Sequence, residues 1–431
     1  MIRKYYKFKV FIFTSISIFV FCVNSFGQAE ASINLDSCLS LVKQNYPLSK
    51  EKGYLEEIGK NNIKRINSEQ LPQINLLSHA TLQTEATTFD LGPEVLAYPK
   101  DNYSFGVHVT QTLFDFGLTS ELKKVEQAET NTEVSKNEIE LYKLNDKVLQ
   151  LYGNILVSKE NINILESYLD DIKNRRAKIL SLVNNGAMLQ SDLDVLDVEM
   201  LKTSQKLIEV SANQKVLYET LSLLINKEVD GNTLFAAIQT SNAQVPTISA
   251  LRPEFQYFEK QKILIDETAK LINRKNLPRF SAFGEGIYGT TGYDLMKVDM
   301  HLYGIVGLKL SWNLSAIHSN RYEKRNLKIK KRRVDEQKEL FELKMKTALV
   351  QSNGESSKLR DMIKLDSTIV NKRVSVSKIA ANQLENGAIT SVDYLTYLNE
   401  EKQAVLSQRI HEIQLGIALK HHDITSGIHI N

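Results

Sequence analysis

The sequence predicts an α+β membrane protein built from two similar halves, each with two amphipathic strands and one long helical hairpin. Three observations lead to this fold class: phrases that recur about two hundred residues apart, four stretches in which apolar and polar residues alternate, and two long stretches without proline that have helical periodicity. Only 7 Pro and 19 Gly interrupt the 431 residues, which leaves room for long continuous elements.

An internal repeat is the first of these observations. Three landmarks occur twice in the same order, and the two copies are about two hundred residues apart. A unit of that length is too long for a solenoid repeat, so each copy is expected to be half of one architecture. The landmark pairs are LPQINLLSHATL and LPRFSAFGEGIY, from Leu71 and Leu277; GVHVTQTLFDFG and GIVGLKLSWNLS, from Gly106 and Gly304; and NGAMLQSDLDVL and NGAITSVDYLTYL, from Asn185 and Asn386.

The chain begins with the features of a secretory signal peptide. Basic residues come first, an apolar run from Val10 to Val23 follows, and Ser25 and Gly27 supply small residues at the usual cleavage positions. We expect cleavage after Gly27 and export of the remainder. The predicted organisation is a signal peptide at 1–27, a first repeat at 28–245 and a second repeat at 246–431.

Strands are predicted where apolar and polar residues alternate with a period of two. In the clearest stretch, every residue from Tyr103 to Thr110 follows the pattern. Alternation over about ten residues is what transmembrane barrel strands require, although a soluble, half-buried sheet has the same pattern. The export signal and the large amount of helix favour the membrane alternative. The four predicted strands lie at about 72–85, 103–115, 278–289 and 301–314.

Helical hairpins are predicted at about 118–228 and 317–420. Between Leu118 and Val183 there is no proline and only one glycine, Gly153, and apolar residues recur at steps of three and four, which indicates a coiled-coil seam. At 1.5 Å per residue, such a helix would be about 100 Å long. A rod of that length extends well beyond a single globular core.

The repeated NGA phrases are predicted to be the tips of the two hairpins, at 185–192 and 386–393. Asn-Gly supplies the left-handed backbone conformation that ends one helix, and Ser191 or Thr390 with the following Asp can cap the next helix. The tips should lie at the end of the rod far from the strands. The candidate site residues are Asn185, Gly186, Asp192, Asn386, Gly387 and Asp393.

Four strands are too few for a closed barrel in a membrane, because the smallest single-chain membrane barrels have about eight. The open edges would expose unpaired backbone groups to lipid, at a cost of several kcal/mol each. Further copies of the chain are therefore expected to supply the missing strands. Two chains would give eight strands and a filled lumen, whereas three would give twelve strands and room for a pore.

These features together resemble the TolC-like outer-membrane efflux proteins over essentially the whole mature chain. The resemblance rests on the tandem repeat, on LPQINL and VTQTLFDFG beside the first pair of strands, and on the NGA-to-Asp tips. It implies a homotrimer with a twelve-stranded β-barrel in outer-membrane lipid and a long periplasmic α-helical barrel. It further implies a passive exit duct in tripartite efflux or type I secretion, docked at its tips to a periplasmic adaptor (membrane fusion protein) and through it to an inner-membrane RND or ABC pump.

The resemblance also assigns a role to the tips. In the family's second copy, an acidic residue six positions after the Gly helps to line the periplasmic entrance, and Asp393 stands there in this chain, with Asp192 at the matching place in the first copy. Some members carry a second Asp where this chain has Thr396, and an Arg where it has Ile389. The contacts that hold the entrance are therefore expected to differ. For both Asp residues helix capping is the alternative role, and for Asp192 it is the favoured one.

Other sequence signals point to no catalytic function. No nucleophile motif, phosphate-binding loop or paired Cys ligands occur, so no enzyme activity, catalytic residue, cofactor or metal site is predicted. The net charge of +3 and the expected export argue against a nucleic-acid partner for the basic run at 321–338, which is expected to be a solvated helix face near anionic headgroups. His421, His422 and Asp423 are expected to lie in a poorly ordered tail.

Two other classes of protein remain as alternatives to a duct. One is a non-channel coiled-coil structural protein of the periplasm, against which four amphipathic stretches in two matched pairs argue. The other is a periplasmic adaptor, which would carry one helical hairpin and a soluble β-domain. Channel recordings in planar bilayers discriminate the first alternative from a duct, and extraction from outer membranes by salt or carbonate discriminates the second.

Overall fold

The computed structural model describes residues 32–90, 92–93, 95–238, 248–290, 292–294 and 296–427, and the expected signal peptide at 1–27 lies outside these ranges. The helices are α1 (Leu35–Asn45), α2 (Leu48–Ser68), α3 (Leu118–Asn184), α4 (Gln190–Ile225), α5 (Pro253–Lys275), α6 (Ala316–Glu385) and α7 (Ser391–Ser426). The strands are β1 (Gln73–Leu82), β2 (Thr88–Asp90), β3 (Val95–Ala97), β4 (Asp101–Phe114), β5 (Arg279–Gly289) and β6 (His301–Ser311). Within the described ranges, none of these helices is at once long and apolar enough to cross a bilayer.

The order of the elements confirms the tandem repeat. The first half runs through α2, β1, β4, α3 and α4, and the second half through α5, β5, β6, α6 and α7. Each half therefore contains a short helix, two strands, a helix of 67 or 70 residues and a helix of 36 residues. The connection from β1 to β4 also holds the small β2–β3 hairpin, which has no counterpart among the described residues of the second half.

The four long strands form one antiparallel sheet in the order β1-β4-β5-β6. One row across this sheet consists of Ile74, Val109, Gly284 and Val306. Each of these residues lies on the face that the alternation in its own strand predicts to be apolar, so the four apolar faces coincide on one side of the sheet. Nothing in the described chain covers that side, and Val306 there is 85% exposed. Strands β1 and β6 form the two edges.

The opposite face of the sheet is largely polar. The neighbouring row carries Asn75, His108 and Glu285. The Nδ1 atom of His108 lies 2.8 Å from Oε1 of Glu285, and its Nε2 atom lies 2.7 Å from Oγ1 of Thr110. The sheet thus separates an apolar surface from a hydrogen-bonded one, as a membrane barrel requires.

Strand β4 turns directly into helix α3 at Asp115. Its carboxylate accepts hydrogen bonds from the backbone N–H groups of Gly117 (2.9 Å) and Thr119 (2.8 Å), and Phe116 and Gly117 adopt left-handed backbone angles, with φ of 53° and 84°. Partial burial acts to raise the pKa of Asp115, but the hydrogen bonds from Thr119 and Gly117 outweigh it and lower the pKa. The DFG sequence is therefore a short, fixed joint between sheet and rod.

The long helices lie side by side, and the short helix α1 packs against α3 and α4. Towards the sheet, α3 packs between α2 and α5, and α6 packs against α5; towards the tips, α3 packs between α4 and α7, and α6 packs against α7. Two polar contacts mark these neighbours: Lys331 of α6 pairs with Asp266 of α5 at 2.7 Å, and Tyr168 of α3 donates to Glu199 of α4 at 3.1 Å. The margins of the layer are α2 and α4 on one side and α6 on the other.

A compact apolar cluster surrounds the middle of α3. Tyr152 is fully buried there, and its hydroxyl lies 2.9 Å from the carbonyl oxygen of Ile33 and 2.6 Å from that of Ala236. Ile33 also forms a parallel bridge with Phe235. The segments before α1 and after α4 are therefore held against the same point of the rod.

The expectation of a poorly ordered tail at His421, His422 and Asp423 is wrong. All three residues belong to α7, which continues to Ser426, and His422 is only 3% exposed. The physical reason is a contact that sequence periodicity does not reveal. The guanidinium group of Arg252, at the start of the second half, donates hydrogen bonds to the last carbonyl groups of α7 and fixes its end against the rod.

Candidate functional site at the hairpin tips

Both long helices end in the same way at the tips. Asn185 and Asn386 are the C-cap residues, and Gly186 and Gly387 follow in the left-handed conformation, with φ of +73° and +69°. In the first tip, the N–H of Ala187 donates to the carbonyl of Leu182 at 2.9 Å, and the second tip repeats this bond from Ala388 to Gln383 at 2.8 Å. These bonds satisfy carbonyl groups that a helix end leaves free, and only glycine adopts this backbone without strain.

The second tip restarts its helix with a capping box. The N–H of Asp393 donates to Oγ1 of Thr390 at 3.2 Å, and Oδ2 of Asp393 accepts from the N–H of Thr390 at 3.0 Å and from its hydroxyl at 2.7 Å. The hydrogen bonds from the Thr390 side chain and then from its backbone lower the pKa of Asp393. Asp393 is exposed, so its carboxylate caps α7 and also faces solvent.

The first tip restarts differently, and the prediction that Ser191 and Asp192 cap their own helix is wrong. Helix α4 begins at Gln190, so the N-cap position falls on Leu189, which has no side chain able to accept a hydrogen bond. The Oδ1 atom of Asp192 instead accepts from the N–H of Ser391 at 3.1 Å. Ser391 is the first residue of α7, so Asp192 caps the neighbouring hairpin and joins the two tips.

A second link between the hairpins involves Arg175, which the sequence analysis missed. Its guanidinium group contacts the Glu385 carboxylate, donates to the carbonyl of Ala381 at 3.3 Å and lies 5.1 Å from the centre of the Tyr394 ring. Lys178 also bonds Glu385, at 2.7 Å, and this bond together with the charge of Arg175 lowers the pKa of Glu385. No local pattern could have found this contact, because the partners lie in different halves of the chain.

Apolar packing supports these polar links. Ile172 and Ile179 of α3, Leu196 of α4 and Leu384 of α6 are fully buried in one cluster at the tips. Ile389 packs against the same cluster. This contact accommodates an apolar side chain at the position where some members of the family that the sequence resembles carry an Arg. The two hairpins therefore meet through a shared core, and their turns remain at the surface.

An open groove of about 610 Å³ lies between α4 and α7 near the tips. Tyr168, Asp194 and Thr396 are among the side chains that line it, so Thr396 faces this groove. Of the six predicted site residues, the structure brings Asp192 into contact with the second tip, and it uses the two Asn-Gly pairs and Asp393 within their own turns. Among the described residues, no group of three potential metal ligands occurs here or elsewhere.

Comparisons with known proteins identify the fold. No protein-family model and no curated protein sequence matches the chain, whereas several solved structures do. The outer membrane protein VceC of Vibrio cholerae aligns with a TM-score of 0.66 at 12% identity, over 90% of this chain and 95% of that one. The Campylobacter jejuni CmeC outer membrane channel gives 0.65 at 14% identity, over 94% and 87%. The open state of the Neisseria gonorrhoeae MtrE outer membrane channel gives 0.64 at 10% identity, over 91% and 89%. The chain therefore has the fold of the TolC-like outer-membrane efflux channels.

Proposed function

We propose that the chain is one subunit of an outer-membrane exit duct that serves a tripartite efflux or type I secretion system. The observation that carries this proposal is a four-stranded sheet that, among the described residues, has two unpaired edges and an uncovered apolar face. The helical layer that continues it likewise has two margins without a partner in that part of the chain. Solute would pass along the polar side of both layers. The energy for transport would come from a separate pump.

The sheet supports membrane insertion as part of a larger barrel. Its apolar face suits lipid, and its polar face, with His108 and Glu285, suits a water-filled bore. The free backbone groups of β1 and β6 cannot remain unpaired in lipid. Strand β6 of one copy would therefore pair with β1 of the next copy.

The helical margins carry matching apolar stripes. Successive residues of a helix are about 100° apart around its axis. A set of exposed apolar residues along α6 therefore falls on one side of the helix, roughly opposite to buried Leu327, Val334 and Leu359. Helix α4 has a similar stripe opposite to buried Leu196 and Leu221, and Leu201 in this stripe is 72% exposed. Each margin thus has one apolar side that packs within the chain and another that no described residue covers. The α6 stripe comprises Ile329, Leu340, Leu343, Val350, Leu365, Ile369 and Ile379, and the α4 stripe comprises Val198, Leu201, Ile208, Val216 and Leu223.

The margins also correspond along the length of the molecule. On one side β1 follows α2, and α4 lies on the same margin nearer the tips; on the other side β6 leads directly into α6. If two copies lie side by side, β6 of one copy would pair with β1 of the next, and α6 of the first copy would pack against α2 and α4 of the next. A ring of three copies has twelve strands and an open bore, whereas a ring of two copies has eight strands and a filled interior. We therefore propose a homotrimer.

We further propose that the six tip residues Asn185, Gly186, Asp192, Asn386, Gly387 and Asp393 form the periplasmic entrance. Exposed Leu189 and Val392 beside them would give a periplasmic adaptor an apolar surface to contact, and an inner-membrane RND or ABC pump would act through that adaptor. Within a ring, copies of Asp393 near one axis would attract cations.

The test uses the purified full chain in detergent and in planar bilayers. We expect a particle of three chains that conducts ions. Substitution of two stripe residues, Leu201→Glu with Ile208→Glu, should dissociate the particle and abolish conductance, because it places charge in the apolar seam. The control Asn213→Glu adds one negative charge, against two in the double variant, at an exposed position of α4 outside the stripe, and it should change neither property.

Two results would contradict the proposal. A wild-type particle that stays monomeric and never conducts would favour the structural coiled-coil protein. Release of the wild-type chain from outer membranes by carbonate would favour a peripheral adaptor, since an integral barrel resists such extraction.

A further inference from the structure

A strongly basic surface lies at the end of the helical layer nearest the sheet. We call it the basic band and define it by Arg321, Arg325, Lys328 and Arg332 of α6 together with Lys60 and Lys64 of α2. All six side chains are exposed. Within the described part of the chain, none of them forms an ion pair or a hydrogen bond, whereas Lys331 and Lys338 of the same run pair with Asp266 and Glu259.

The α6 members of the basic band share one side of the helix. Arg321, Arg325, Lys328 and Arg332 follow one another at steps of four, three and four, which places them in a single stripe. Helix α6 begins at Ala316, just after β6 ends at Ser311. At 1.5 Å per residue, the stripe therefore lies within about 25 Å of the base of the sheet.

Aromatic side chains mark the boundary between the sheet and this band. A register shift after Thr112 places Phe114 opposite Phe280, on the apolar face. Trp312 continues the same face beyond β6, and its indole N–H donates to the carbonyl of Asn276 at 2.9 Å while the ring stays half exposed. Amphipathic and aromatic side chains of this kind collect where a bilayer meets water, so the sheet-proximal end of the basic band would lie at the depth of the headgroups.

A neighbouring copy of the chain would not neutralise the sheet-proximal part of the basic band. In the proposed ring, α6 of one copy meets α2 of the next copy. The sheet-proximal end of α2 presents Lys60 and Lys64, while Arg65 is already paired with Glu69 at 2.8 Å. Exposed Glu56 and Glu57 lie about one turn further from the sheet. Like charges would therefore face each other at the level of Lys60 and Lys64, where an anionic partner would offset the repulsion.

We propose that the basic band binds the anionic headgroups of phospholipids in the leaflet nearest the helices. This proposal rests on the insertion of the sheet in a membrane, as stated under the proposed function. Phosphate groups of that leaflet lie at the depth where the aromatic residues end and the basic residues begin. A cluster of several Lys and Arg residues beside a membrane-spanning element is the arrangement that attracts anionic lipid.

The single tryptophan of the chain allows a direct measurement, because Trp312 lies beside the basic band. The full chain is reconstituted in vesicles that contain brominated phosphatidylglycerol or brominated phosphatidylcholine, and quenching of Trp312 fluorescence gives the relative binding of the two lipids. Since each basic residue near a surface contributes up to about fivefold in binding to anionic lipid, we expect the wild type to prefer phosphatidylglycerol at least several-fold. The preference should fall as salt is added.

Two variants test the assignment. R321Q/R325Q/K328Q/R332Q leaves only Lys60 and Lys64 of the basic band and should lower the preference for phosphatidylglycerol several-fold. The control R360Q/K364Q/K372Q/K378Q removes the same charge from exposed positions of α6 far from the sheet, and it should leave the ratio unchanged. An equal loss in both variants, or no loss in the first, would overturn the proposal.

The same samples separate this proposal from the proposed function. If neither brominated lipid quenches Trp312, the sheet is not in the bilayer and the duct itself is refuted. If both lipids quench equally in the wild type, only the lipid assignment is refuted. If inorganic phosphate removes the preference more effectively than chloride at equal ionic strength, the basic band is a general phosphate site and the lipid assignment is again overturned.

Discussion

Arg252 offers the sharpest test of how the two halves of the chain are held together. This residue is 7% exposed and stands at the start of the second half. It forms a two-point ion pair with Glu254, with Nε to Oε2 at 3.0 Å and Nη2 to Oε1 at 2.6 Å, and its Nη1 donates to the carbonyl oxygens of Ile424 (3.3 Å) and Thr425 (2.6 Å). We predict that Arg252→Met destabilises the whole middle of the rod.

The magnitude follows from the separate contacts. Removal of one partner of a buried ion pair costs about 3–5 kcal/mol, because the other charge remains buried without compensation. The two carbonyl groups at the end of α7 lose their donor, at about 1 kcal/mol each. The guanidinium carbon also lies 4.8 Å from the centre of the Tyr142 ring, which adds about 1 kcal/mol. Since these contributions overlap, we expect a total of about 5 kcal/mol.

A second variant distinguishes the ion pair from the helix cap. Arg252→Met with Glu254→Leu removes both charges, and replacement of both partners of a buried pair by apolar groups is close to neutral. The double variant should therefore lose only about 3 kcal/mol, from the two carbonyl groups that remain without a donor and from the lost contact with the Tyr142 ring. The assay is urea unfolding in detergent followed by circular dichroism. A loss below about 1 kcal/mol for the single variant, or an equal loss in both variants, would refute the reasoning.

Two further predictions concern the tips. Gly387→Ala should lower the free energy of unfolding by about 1 kcal/mol, because Gly387 has positive φ and an L-residue there is strained. The control Gly354→Ala, in the interior of α6 with open space around it, should instead raise it by about 0.5–1 kcal/mol, and thermal melting of both variants checks the difference in sign. The pKa of Asp393 is lowered in the folded chain, so its contribution to stability is present above the unfolded value of about 3.9 and is lost as pH falls through the folded value. Asp393→Asn should remove this acid-dependent component, and unfolding measured from neutral pH down to about pH 3 should be flatter in the variant than in the wild type; identical pH profiles would contradict the capping role.

The sequence predicted the large-scale fold because its patterns are local. Alternation in each strand determines which residues form its apolar face, and one antiparallel register then brings four such faces together, as the row from Ile74 to Val306 shows. Asn-Gly followed by Ala sufficed to predict the helix ends at Gly186 and Gly387, because few residues other than glycine tolerate that backbone.

The contacts between the halves could not be predicted in the same way. Asp192 was expected to cap its own helix together with Ser191, but both residues lie inside α4, whose N-cap position is Leu189, and the Asp192 carboxylate accepts from Ser391 of the other tip. Arg175 reaches Glu385, and Arg252 reaches the end of α7, across sequence separations that leave no periodic trace. A single sequence contains the side chains for such contacts and no record of their pairing.

The two halves of the chain differ where their helices restart after the tips. In the second tip, Thr390 and Asp393 cap their own helix. In the first tip, Leu189 occupies the cap position, and Asp192 accepts a hydrogen bond from Ser391 of the second tip. Any ring made from this chain would therefore expose two turns per chain, and first and second tips would alternate around its rim. Displacement of a first tip would break the hydrogen bond from Ser391 to Asp192 and loosen the start of α7 beside it. Every second turn around the rim would therefore respond to movement of its neighbour, although the chains are identical.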